Sequence, residues 1–150
     1  MEKVSGIDEA LALAVKAHAG MKDLDGKPCI LHPLAVGLAG KTENEIICGF
    51  LHDVVEDTDY TFDDLLEMGF STEVVDVLRL LTHDKSVTYM DYIRGILASG
   101  NETALAVKLN DLNHNLARGK AGGHTYQVSK HTKALTFIQN YLADKGGSHC

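Results

Sequence analysis

The chain carries no tryptophan, only two prolines and only three cysteines in its 150 residues. Cys29, Cys48 and Cys150 are odd in number and none stands in a Cys-x-x-Cys pair. A disulfide framework and a thiolate zinc site are both excluded as expectations, and reduced thiols suit the cytoplasm. No apolar run reaches the roughly 18–20 residues that a membrane-crossing helix needs. The opening Met1-Glu2-Lys3-Val4-Ser5-Gly6 lacks the basic-then-apolar pattern of a secretory leader. Basic residues are also scarce, with 14 Lys and Arg against 21 Asp and Glu, a formal charge of −7. That balance argues against a nucleic-acid surface, which normally presents a basic face. It leaves room for a nucleotide pocket, where a few local cations and a divalent ion hold phosphate.

Sustained period-two alternation is missing as well, so no sheet is expected. What is present is helical spacing. A helix is expected from Ile7 to His18, then a loop through Asp23–Cys29, rich in turn formers. His32-Pro33 begins a short helix running to about Gly40, because proline suits a first helical turn. Thr42 with Glu45 three residues later reads as a capping box. The helix from Glu43 to about Asp57 is apolar nearly all round, and is expected to be central and most buried. Further helices are expected over Asp63–Met68, from Ser71-Thr72-Glu73 to Leu81, over Thr88–Ser99, over Asn101–Arg118 (broken by Gly119, Gly122 and Gly123), and over Val128–Ala143. The expectation is one all-α helical bundle over 1–150, with unstructured tails at 1–5 and 145–150.

Chemistry concentrates in two patches. On a helix, His52, Asp53, Glu56 and Asp57 of the run His-Asp-Val-Val-Glu-Asp fall within an arc of about 140°. One imidazole and three carboxylates on an otherwise apolar helix call for a cation. As a solvated helix end the run is a poor choice, because acids there oppose the helix dipole. The second patch places Lys108, Asp111 and Asn115 on one stripe of a later helix. His32, at a helix start, adds a further imidazole. Two imidazoles with two carboxylates suit manganese, iron, cobalt, nickel or zinc and not calcium.

The order His-Pro, then His-Asp-Val-Val-Glu-Asp-Thr, then Lys-Leu-x-Asp-x-x-His-Asn resembles the HD-type hydrolase domain of RelA/SpoT alarmone enzymes. It is most similar to the stand-alone small alarmone hydrolases, and the resemblance runs from about Ile7 to Tyr141. It implies a single HD-domain helical bundle holding one divalent metal, usually manganese, on His32, His52, Asp53 and Asp111. It implies that Glu56 and Asp57 handle the attacking water and that Asn115 contacts substrate. The implied reaction removes the 3′-pyrophosphate from guanosine tetra- or pentaphosphate. Lys85 matches a basic position in the small hydrolases and is expected at a phosphate, while Lys108 is expected to offset charge on the leaving pyrophosphate.

Three departures accompany the match. Met21-Lys22-Asp23-Leu24 stands where the family has Gln-x-Arg-Lys, leaving Lys22 as the nearby cation for substrate. Cys29 replaces a usual tyrosine, and Leu112 a usual basic residue. A phosphatase or pyrophosphatase for another nucleotide therefore stays open, as does a nucleotide-binding regulatory module without turnover. A small-molecule nucleotide is the expected partner, with no nucleic acid and no membrane, and a homo-oligomer is left open. From its length, the chain is expected to lack an alarmone synthetase. His18 is expected to pack or hydrogen-bond near the site, His114 to make a structural hydrogen bond, and His124 and His131 carry no spacing signal.

Overall fold

The computed structural model describes residues 4–147, which form nine helices. They run α1 (Ile7–Ala17), α2 (Leu31–Leu38), α3 (Glu43–Leu51), α4 (Val54–Asp57), α5 (Phe62–Glu67), α6 (Thr72–Leu81), α7 (Tyr89–Ser99), α8 (Glu102–Gly122) and α9 (Thr125–Gly147). No strand occurs among the described residues; one isolated bridge pairs Lys22 with Pro28 across the loop after α1. The all-α expectation holds. No described helix is long and apolar enough to cross a membrane.

Short polar side chains start most of these helices by satisfying first-turn amides that lack helical partners. Thr42 accepts from the Glu45 amide, Thr61 from Asp64, Ser71 from Val74, Thr88 from Asp91 and Asn101 from Ala104. The expected box at Thr42 takes a variant form, since the Glu45 carboxylate reaches the amide of Lys41 at 3.1 Å. Helix α3 sits at the centre, packed against α1, α2, α6 and α8. Its Ile47, Cys48, Phe50 and Leu51 are all buried, and each large apolar side chain so buried contributes about 1.5–3 kcal/mol.

Two glycines set how the central helices meet. A Cβ on Gly49 would lie 2.6 Å from the Cα of Gly37, and one on Gly37 would run into the Phe50 ring. Helices α2 and α3 therefore touch backbone to backbone, a separation that only glycine at both positions permits.

Three expectations need correction. The helix expected over 43–57 breaks at His52-Asp53. There the His52 Nδ1 donates to the Gly49 carbonyl at 2.7 Å, the acceptor an unbroken ladder would offer to Asp53. The helix expected to stop at Arg118 continues to Gly122, because Gly119 is used for packing: a Cβ there would lie 3.2 Å from Val128 Cγ2. Only Gly123, left-handed at φ +70°, ends α8. The expected tails are also shorter where they are described. Ser5 is buried and its hydroxyl donates to the Met68 carbonyl at 2.6 Å, while α9 runs on through Lys145 to Gly147. Residues 1–3 and 148–150, Cys150 among them, lie outside the described residues.

Candidate metal centre

Residues far apart along the chain meet beside the α2–α3 crossing. His32 projects from the first turn of α2, His52 and Asp53 from the turn between α3 and α4, and Asp111 from the middle of α8. His32 Nε2 lies 2.7 Å and His52 Nε2 3.2 Å from Asp111 Oδ1. The Asp53 Oδ2 is 3.2 Å from His52 Nε2 and 3.9 Å from His32 Nε2. His32, His52 and Asp111 are almost wholly buried, and Asp53 is partly open.

The donor set fits a divalent ion. His52 spends its Nδ1 proton on Gly49, so its Nε2 faces two carboxylate oxygens with either a proton or a cation between them. Burial alone would push the His52 pKa down, yet Asp53 and Asp111 overrule it and raise it to about 9. The same pull on a proton is a pull on a metal ion, and His32, His52 and Asp53 can hold one. His32 Nδ1 is paired at 2.7 Å with Nδ1 of His114, which stacks on it at 4.9 Å. That pairing fixes the His32 ring with Nε2 toward the cluster. His114 thus makes the hydrogen bond expected of it, to a metal-ligand candidate.

Asp111 is the most heavily supported member. Its Oδ2 accepts from Lys108 Nζ at 2.8 Å, and its Oδ1 accepts from Asn115 Nδ2 at 3.1 Å. Burial by itself raises its pKa, but the Lys108 ammonium and the two imidazoles hold it well below the ordinary carboxylate range. Asn115 is oriented in turn by Arg118, whose Nε and Nη2 donate to its Oδ1 at 2.9 and 2.6 Å. Arg118 Nη1 lies 3.7 Å from Asp23, which ties the loop after α1 to α8.

A cavity of about 560 Å³ opens against this cluster, with His32, Asp53, Asp57, Asn115, Arg118 and Lys22 among its walls. Asp57, exposed on its outer side, lines it as well. Partial loss of water, then the nearby Asp53 and Glu56 carboxylates, raise its pKa to about 6.

No family model matches the chain. Curated relatives do. A GTP pyrophosphokinase of Streptomyces coelicolor is 33% identical over 127 residues, covering 73% of this chain and 14% of that protein. A guanosine-3′,5′-bis(diphosphate) 3′-pyrophosphohydrolase of Aquifex aeolicus is 31% identical over 115 residues, 70% of this chain and 16% of its own length. The chain thus spans about a seventh of the first of these relatives and a sixth of the second. A solved structure described as a metazoan ortholog of SpoT that hydrolyzes ppGpp superposes with TM-score 0.68 at 24% identity, over 90% of this chain and 88% of that one. The chain is similar in sequence to a part of these relatives and shares the fold of the SpoT ortholog.

The sequence-expected residues fall into two groups. His32, His52, Asp53 and Asp111 converge, and Asp57, Asn115 and Lys22 face the same cavity. Three others do not join them. Lys108, expected at the leaving group, is buried, bound to Asp111 and set against the Tyr89 and Tyr92 rings, so it is not on the cavity wall. Lys85 is exposed on the turn after α6 and only lowers the Asp57 pKa from a distance. Glu56 turns aside, its Oε1 accepting from the His83 amide at 2.8 Å. Arg118 was not among the expected site residues. Its position three residues after Asn115 on one helical stripe is the signal that could have found it.

Proposed function

We propose that this chain is an HD-type, metal-dependent phosphohydrolase that removes the 3′-pyrophosphate of guanosine tetra- or pentaphosphate. The names of the Aquifex relative and of the solved structure describe this substrate. The observation that carries the reading is the meeting of His32, His52, Asp53 and Asp111 ligand atoms next to a cavity that His32, Asp53 and Asp57 line.

His32, His52, Asp53 and Asp111 would hold the ion, for which manganese suits the mixed nitrogen and oxygen donors. A divalent ion there supplies polarisation of a phosphoryl oxygen and a lowered pKa for water. Asp57 is assigned to accept the proton of the attacking water. A carboxylate with a pKa near 6 is mostly ionised at neutral pH and still basic enough to take one. The water oxygen bonds to phosphorus, the bond from that phosphorus to the ribose 3′-oxygen breaks, and that oxygen takes up a proton. Arg118, whose Nη1 also faces Asp23, has N–H groups left over from Asn115, and with Lys22 offsets phosphate charge in a cavity that Asp23, Asp25, Asp53 and Asp57 line. Glu56 acts indirectly, by fastening the turn at His83.

Purified protein with manganese is expected to release pyrophosphate from guanosine tetraphosphate and to stop when a chelator is added. Asp57→Asn is expected to keep the ion while losing about 10²–10⁴-fold in turnover. An ion-loaded protein that leaves guanosine tetraphosphate intact would overturn the reading.

A further inference from the structure

Among the described residues, buried side-chain nitrogens or oxygens without a hydrogen-bond partner occur on just two side chains: both ring nitrogens of His18 and the Nδ1 of His131. The two come from opposite ends of the chain, the C-cap of α1 and the second turn of α9. They are 3% and 8% exposed, and both line the 560 Å³ cavity. A buried polar atom left unsatisfied costs about 1–3 kcal/mol, and an apolar side chain of similar shape would avoid that cost. A purely structural wall has no reason to keep imidazoles here.

We propose that His18 and His131 form a subsite for the uncharged donor–acceptor part of the nucleotide, its ribose hydroxyls or its base edge. Burial holds the pKa of both below the ordinary histidine value, that of His131 at about 4, so both rings are neutral at pH 7. A neutral imidazole offers one N–H and one lone pair. That pattern matches a hydroxyl or a base edge, each able to donate and accept. A phosphate oxygen only accepts, and the cavity already offers it Arg118 and Lys22. The inference rests on the nucleotide reading above and deepens it.

The test uses manganese-saturated protein in an Asp57→Asn background, expected to keep the ion and lose turnover so that the nucleotide survives the titration. His18→Leu, His131→Leu and the matching Asn variants are made in it, and the parent with both histidines serves as wild type. It measures thermal midpoint without nucleotide and calorimetric affinity for guanosine tetraphosphate, adenosine triphosphate, ribose 5-phosphate and inorganic pyrophosphate. The Leu variants are expected to melt no lower than wild type and to bind the nucleotide at least about tenfold more weakly, with pyrophosphate unchanged. The Asn variants are expected to recover most of the affinity. Weakened ribose 5-phosphate binding assigns the pair to the hydroxyls; unchanged ribose 5-phosphate binding assigns it to the base. Equal loss for pyrophosphate, a lowered midpoint in the Leu variants, or unchanged nucleotide affinity overturns the proposal. Should wild type bind adenosine triphosphate but not guanosine tetraphosphate, the alarmone reading falls and the same comparison is made on adenosine triphosphate. Wild type that binds neither overturns both.

Discussion

Lys108 places its ammonium 2.8 Å from the Oδ2 of Asp111, with both side chains shut away from water. The faces of Tyr89 and Tyr92, 5.4 and 5.0 Å from that nitrogen, complete its surroundings. A carboxylate this deep would ordinarily take up a proton; here the adjacent cation keeps it ionised and ready for a metal. Lys108→Met leaves that charge unpaired. It is expected to destabilise the metal-free fold by about 3–5 kcal/mol in urea denaturation, with manganese restoring part of the loss.

Asn115 and Arg118 reach the cluster through Asp111. Outer partners of this kind typically change metal affinity by about 10–100-fold. Asn115→Ala is expected to fall in that range in a competition titration against a metal-binding dye. Arg118→Ala is expected to cost less, because it orients Asn115 without touching Asp111.

The backbone contact of Gly37 and Gly49 holds the helices that carry His32 and His52. Gly49→Ala has no room for its methyl group and is expected to destabilise the fold by about 1–3 kcal/mol. Helices forced apart also separate the two imidazoles, so manganese affinity in the dye titration is expected to fall with stability.

The candidate ligand quartet was legible through the family resemblance, while residue types and helical spacing by themselves grouped only its parts. His52 and Asp53 are neighbours, and Lys108, Asp111 and Asn115 recur on one stripe. The break at His52-Asp53 was not legible, since nothing in the letters shows that the His52 ring takes the Gly49 carbonyl. The destination of a lysine was equally hidden. Lys108 and a phosphate-facing lysine look alike until Tyr89 and Tyr92, from another helix, close over one of them. His131 shows the general limit, because its meaning comes from a cavity whose other walls lie about a hundred residues away, at His18 and Asp23.

His131 also makes stability depend on pH. Its folded pKa of about 4 lies below the ordinary value of 6.5. Between those values the unfolded chain binds a proton that the folded protein does not, so stability is lost as pH falls through this window and is complete above it. His131→Leu is expected to flatten the slope of stability against pH between about 4 and 6.5. Urea denaturation at a series of pH values checks it, and a slope identical to wild type would remove the buried neutral ring from the account.

His32, His52, Asp53 and Asp111 are proposed to share one ion. Anomalous diffraction at the manganese edge from crystals grown with manganese tests it directly. The expected result is one strong peak among the two Nε2 atoms, Asp53 Oδ2 and Asp111 Oδ1, lost in His52→Ala. A peak elsewhere, or one that survives that substitution, would contradict it.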